Sequence, residues 1–127
     1  MIRILIAEDD ALQALALKQM LERFGYEVVG TAVSAAQAVR QAESTRPQVV
    51  LMDINLRGSG SGIEAAAEIR SRLGIPHLFI SAYADESTLR RARATRPIGY
   101  IAKPYTPRAI ERALDAAGFG PHLRCRR

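Results

Sequence analysis

The 127-residue sequence is poor in the residues that staple, stack or span. Its single cysteine, Cys125, has no internal partner, so no disulfide is available and a reducing compartment is expected. Tryptophan is absent and aromatic residues make up 6%, which leaves little surface on which nucleic-acid bases could stack. No run of about 18 apolar residues occurs, and the first residues lack the apolar core and small-residue cleavage site of a secretory signal. The expectation is a soluble, cytoplasmic protein without membrane insertion. Lysine is scarce too: of 18 cationic residues only Lys18 and Lys103 are not arginine. The two histidines, His77 in an apolar run and His122 near the end, have no neighbouring ligand types to suggest zinc or a catalytic triad.

What remains is ordinary globular composition, 48% hydrophobic and 24% charged, at the length of one domain. Such a chain buries roughly two thirds of its unfolded surface and needs no metal or disulfide to hold its core. The formal charge of +5 is unevenly spread. Residues 1–63 hold 6 basic and 7 acidic groups, residues 64–127 hold 12 and 6.

Apolar runs and helical patterns alternate along the chain. Ile2 to Ala7 reads as a strand, followed by Glu8, Asp9 and Asp10 and then a helix carrying Leu12, Leu15, Met20, Leu21 and Phe24, with Asp10 and Gln13 as a capping box and Gly25 as its stop. Glu27 to Val33 and a helix from the Ser34/Gln37 box to about Ser44 repeat the unit. Val49 to Met52 ends at Asp53; the Gly/Ser-rich stretch Arg57 to Gly62 leads to a helix over Ile63 to Leu73. His77 to Ile80 ends at Ser81, Asp85 caps a basic helix to about Thr95, Ile98 to Ala102 is a fifth strand, and Thr106 with Pro107 opens a last helix ending near Gly118. Five strand-helix units predict an α/β fold: a three-layer open sandwich around a five-stranded parallel sheet. The runs VVLM and LFI lack alternation, as strands covered on both faces should. The domain is expected over residues 1–118, with a short basic tail over 119–127.

Ligands of open parallel sheets bind beyond the carboxyl ends of the strands. The residues closing the strands are Glu8, Asp9 and Asp10, then Asp53, Ser81 and Lys103, with only the second strand, an expected edge, lacking such a group. Clustered carboxylates repel unless a proton or cation intervenes, and an all-oxygen set suits Mg²⁺ that shares a phosphate oxygen. Lys103 and Ser81 would meet that phosphate as a charge and a donor, and Asp53 is placed to become an acyl phosphate.

At these residues the sequence resembles the receiver domain of bacterial two-component response regulators. The likeness spans about residues 2–117: Glu8-Asp9 after ILIA, LMDINL around Asp53, Ser81-Ala82, Tyr100, and Lys103-Pro104. It implies the flavodoxin-like strand order 2-1-3-4-5 and a cis Lys103-Pro104 bond. It also implies that Asp53 accepts a phosphoryl group from a phosphohistidine on a sensor histidine kinase or histidine phosphotransfer protein. Glu8, Asp9, Asp53 and the Asn55 backbone carbonyl would serve Mg²⁺, Lys103 and Ser81 would meet the phosphoryl group, and Ser81 and Tyr100 would switch. Output would pass through the face of the fourth helix, fifth strand and last helix, where Arg90, Arg91, Arg93, Arg108 and Arg112 offer a basic surface to an acidic partner. One departure stands out: Arg57 occupies the place, four residues after Asp53, where the family commonly has proline.

Plainer readings exist for most of these groups. The acids could simply favour a helix N-terminus, and Asp10 reads better as a cap than as a ligand. Ser81 alone is an ordinary strand-end residue, Tyr100 alone a packing residue, and the arginines a solvated face. Asp53 has no such account, because an unpaired charge ending a buried strand is costly. The leading function is a phosphorylation-controlled, single-domain response regulator that modifies only itself and acts by binding. An aspartate-nucleophile phosphatase of haloacid dehalogenase type expects a second Asp where Asn55 stands. A nucleic-acid-binding or scaffold protein using the basic half, with a vestigial acid site, is the third alternative.

Overall fold

A computed structural model describes residues 1–56, 62–82 and 85–120. Ten elements alternate: β1 (Arg3–Ala7), α1 (Ala11–Arg23), β2 (Glu27–Ala32), α2 (Ala35–Thr45), β3 (Val49–Asp53), α3 (Gly62–Leu73), β4 (His77–Ser81), α4 (Glu86–Ala94), β5 (Gly99–Ala102) and α5 (Pro107–Ala116). All strand pairs are parallel and the sheet runs β2-β1-β3-β4-β5, so β2 is an edge as expected. Register sets the height of each strand end. Ala7 lies opposite Met52, Asp53 opposite Ile80, and Ser81 opposite Ala102, so Glu8, Asp53, Ser81 and Lys103 emerge on one rim.

The period of two along each strand divides the apolar residues between two cores. Leu5, Ala7, Val50, Met52 and Phe79 face Ala38 and Ala42 of α2, Ile63, Ala66 and Ile69 of α3, and Ala92 of α4. Ile4, Ile6, Leu51, Leu78, Ile80 and Ile101 face Leu17 and Leu21 of α1 and Ile110 and Leu114 of α5. Both faces of β3 and β4 are thus covered, which is why their sequences do not alternate. Phe119, which the sequence places in the basic tail, packs against the second core and donates its N–H to the Leu114 carbonyl at 2.8 Å. Cys125, His122 and the arginines of the tail lie outside the described residues, as does Arg57.

Two sequence expectations for α1 need correction. Two of the five apolar residues expected on its buried face lie elsewhere: Leu12 and Leu15 are 79% and 50% exposed, whereas Leu21 is buried, Met20 and Phe24 pack against the core, and Ala14 and Leu17 complete the buried stripe. At 100° per residue Ala14, Leu17 and Leu21 share one stripe and Leu12 falls on the opposite side. The small Ala14 admits the helix to the sheet, so side-chain size misleads where spacing does not. The capping box at Asp10 is also incomplete. Asp10 Oδ1 accepts from Leu12 and Gln13 N–H at 2.9 and 3.0 Å, but the Asp10 N–H goes to Glu8 Oε2 at 3.1 Å rather than to the Gln13 side chain. In α2 the Gln37 side chain accepts from Val33 N–H and the Ser34 hydroxyl from Gln37 N–H, one residue off the simple box.

Candidate functional site at the carboxyl rim of the sheet

Four polar side chains at strand ends are nevertheless buried or nearly so. Asp53 is 6% exposed and Glu8 5%, and Ser81 is fully covered, while Lys103 reaches in from the turn after β5. Backbone bonds carry the sheet past its last residues and fix these turns: Glu8 N–H to the Ala32 carbonyl, Ile54 N–H to Ile80, and Lys103 N–H to Ser81, at 2.9, 3.1 and 2.8 Å. Ladder geometry therefore positions the side chains before any ligand arrives.

Lys103 holds the rim together. Its ammonium donates to Glu8 Oε1 at 2.8 Å, Gln13 Oε1 at 2.7 Å and Asp53 Oδ2 at 3.1 Å, which uses all three N–H bonds. Burial alone would lower its pKa, but the bond to Glu8 and the charge of Asp53 raise it above the ordinary lysine value. Burial pushes the Glu8 carboxyl up, against the lowering effect of the Lys103 bond and the Asp10 N–H. At Glu8, which is 5% exposed, burial outweighs both contacts.

Glu8, Asp9 and Asp53 each bring a carboxylate oxygen within 4.8 Å of the others. Among the described residues three carboxylates gather beside one ammonium, and the donors are all oxygen. That combination fits a hard divalent cation rather than a thiolate- or imidazole-seeking metal. Asp53 Oδ1 accepts from the Asn55 N–H at 2.9 Å, which closes a tight turn after β3, and the Asn55 side-chain amide reaches Ser81 Oγ at 3.4 Å. A cleft lined by Gln13, Ala82, Lys103, Pro104 and Tyr105 opens beside the ammonium.

The structure brings Glu8, Asp9, Asp53, Asn55, Ser81 and Lys103 together as expected. The Lys103-Pro104 bond is cis. Tyr100 lies apart, 37% exposed at the outer edge strand β5. Arg90, Arg91 and Arg93 of α4 and Arg108 and Arg112 of α5 are all exposed. His77 is packed inside, as the sequence suggests, with Nε2 2.8 Å from Thr95 Oγ1.

Two contributors escape sequence reading. Gln13 binds Lys103, yet its place three residues after Asp10 suggests only a cap. Gly62 begins α3 against the end of β3: its N–H donates to the Ile54 carbonyl at 2.8 Å, and a Cβ there would sit 2.0 Å from the Asp53 carbonyl oxygen. Only glycine fits that approach, whereas in sequence Gly62 is one of several in a loop.

A parallel 2-1-3-4-5 sheet with carboxylates after β1 and β3, a hydroxyl after β4 and a lysine after β5 defines a class of signalling domain. The chain belongs to the response regulator receiver domain family, which matches residues 4–115. Transcriptional regulatory protein PdtaR of Mycobacterium tuberculosis is 36% identical over 115 residues, covering 91% of this chain and 56% of PdtaR. Chemotaxis protein CheY of Thermotoga maritima is 30% identical over 114 residues, covering 89% of this chain and 94% of that protein. The signal receiver domain of a modulated diguanylate cyclase from Desulfovibrio desulfuricans G20 superposes with a TM-score of 0.86 at 37% identity, covering 91% of both chains. The chain thus spans about half the length of PdtaR and nearly all of CheY. These likenesses lend nothing to the phosphatase or the nucleic-acid alternative. Among the described residues no helix is long and apolar enough to cross a membrane.

Proposed function

We propose that the chain is a cytoplasmic response regulator that takes a phosphoryl group onto Asp53 from a phosphohistidine of a sensor histidine kinase or phosphotransfer protein. The observation that carries this reading is the Lys103 ammonium held between Glu8 and Asp53 inside a cluster of three carboxylates. Asp53 attacks phosphorus, a P–O bond forms, the P–N bond breaks and the leaving imidazole nitrogen takes a proton from solvent. Glu8, Asp9, Asp53 and the Asn55 carbonyl would hold Mg²⁺, and the ion would supply charge neutralisation for the transferring group. Lys103 keeps its place and bonds a phosphoryl oxygen, and Ser81 turns from Asn55 to donate to another. Hydrolysis of the acyl phosphate restores Asp53, so the chain changes only itself.

The new charge is read through packing. As Ser81 turns, Tyr100 moves from its exposed place toward the space behind it, and the surface of α4, β5 and α5 changes shape. The exposed arginines of α4 and α5 suit an acidic partner. Reversing Arg91 and Arg93 to glutamate is expected to weaken a phosphorylation-dependent partner while leaving labelling intact. Intact mass after phosphoramidate with Mg²⁺ tests the reading itself. One added phosphoryl group is expected, absent in Asp53→Asn and after chelation of divalent ions; full labelling of that variant would overturn it.

A further inference from the structure

The site contains a closed ring of hydrogen bonds that runs through four residues. Glu8 Oε2 accepts the Asp10 N–H, Asp10 Oδ1 accepts the Gln13 N–H, Gln13 Oε1 accepts from the Lys103 ammonium, and that ammonium returns to Glu8 Oε1. The Gln13 bond, at 2.7 Å, is the shortest that Lys103 makes. Its backbone is fixed by the Asp10 cap, so the side chain departs from an anchored first turn of α1.

The three acceptors of Lys103 are not equivalent. Glu8 and Asp53 belong to the carboxylate cluster, and any cation or phosphoryl group bound there competes for their oxygens. Gln13 is neutral, lies outside the cluster and lines the cleft beside the ammonium. We propose that Gln13 is a positioning residue for Lys103: it keeps the ammonium on the rim beside Asp53 when Glu8 and Asp53 are drawn to other partners. This inference rests on the phosphoryl-transfer reading for its purpose, but not for its detection.

Gln13→Met and Gln13→Leu both remove the acceptor from an exposed first-turn position while keeping helix propensity. Because the chain has only two lysines, Lys18→Arg leaves Lys103 as the sole lysine ammonium and its NMR signal is assigned without further work. In that background and without divalent ions, the three-bonded ammonium is expected to give a resolved ¹⁵N–¹H signal. The signal broadens or vanishes through faster solvent exchange in Gln13→Met and Gln13→Leu, and returns in Gln13→Glu, which restores an acceptor of the same reach. With phosphoramidate and Mg²⁺, the maximal labelling rate falls about tenfold in the two apolar variants, as expected for one lost hydrogen bond to a charged group. Half-saturation by phosphoramidate stays within about twofold, since the lost contact acts after donor binding. An unchanged ammonium signal in both folded apolar variants overturns the positioning role, as does an unchanged maximal rate. If the wild-type chain takes no phosphoryl group, the functional reading fails while the ammonium signal still decides the role of Gln13.

Discussion

Acid should weaken this fold through one buried imidazole. His77 opens β4 with no exposed surface; Thr95 Oγ1, which donates to the Ala92 carbonyl at 2.7 Å, can only accept from the His77 Nε2–H, 2.8 Å away. That assigns the neutral Nε2–H tautomer and leaves Nδ1 buried without a partner. The ring edge packs on Phe79, with centroids 4.8 Å apart. A proton on Nδ1 would find no acceptor, and burial, aided by the positive charge of Arg70, lowers the pKa from 6.5 to about 4. The unfolded chain takes up this proton near pH 6.5 and the folded protein only near 4, so stability is lost as pH falls across that window and is complete above it. The separation corresponds to about 3 kcal/mol, a large part of the ~5–15 kcal/mol that holds a domain together. Urea unfolding of wild type and His77→Leu at several pH values from 7.5 to 4.0 isolates the effect, because contributions from carboxylates cancel in the difference. The wild-type stability relative to the variant should fall by about 3 kcal/mol over that range. Parallel curves, or a ring titrating near 6.5 by NMR, would refute the reasoning.

Two further outcomes test how the site is supported. Leu17→Ala should cost about 2–5 kcal/mol in urea unfolding, whereas Leu12→Gln should stay within about 0.5 kcal/mol, because only Leu17 faces the sheet; equal costs would contradict the assigned face of α1. Gly62→Ala should destabilise by about 1–3 kcal/mol, since the added Cβ meets the Asp53 carbonyl, and should also slow labelling of Asp53; wild-type melting together with wild-type labelling would show that α3 does not brace Asp53.

Much of the architecture was legible because strand ends and helix caps carry local chemistry. Asp10, Ser34, Asp85 and Thr106 all cap the helices that follow them, and β3 and β4 ran as unbroken apolar segments because helices cover both their faces. The carboxylates, Ser81 and Lys103 could be gathered from sequence because parallel strands of similar register end on one rim. What stayed hidden depended on side-chain reach and approach distance. The 90 residues between Gln13 and Lys103 conceal a direct hydrogen bond, and a helix-cap reading already accounted for Gln13. Gly62 looked like loop composition until the clearance to Asp53 gave it a steric reason. On α1 Leu12 and Leu15 drew attention to the wrong side, because burial followed angular position along Ala14, Leu17 and Leu21 rather than hydrophobic size alone.

The central claim is that Asp53 itself forms the acyl phosphate. Borodeuteride reduces an acyl phosphate on aspartate to deuterated homoserine with release of phosphate, so it records the modified residue permanently. After phosphoramidate and Mg²⁺ treatment, peptide mapping of the reduced protein should place deuterated homoserine at position 53 and nowhere else. Homoserine at another acidic residue, such as Asp9, or a labelled protein that yields none at 53, would contradict the account.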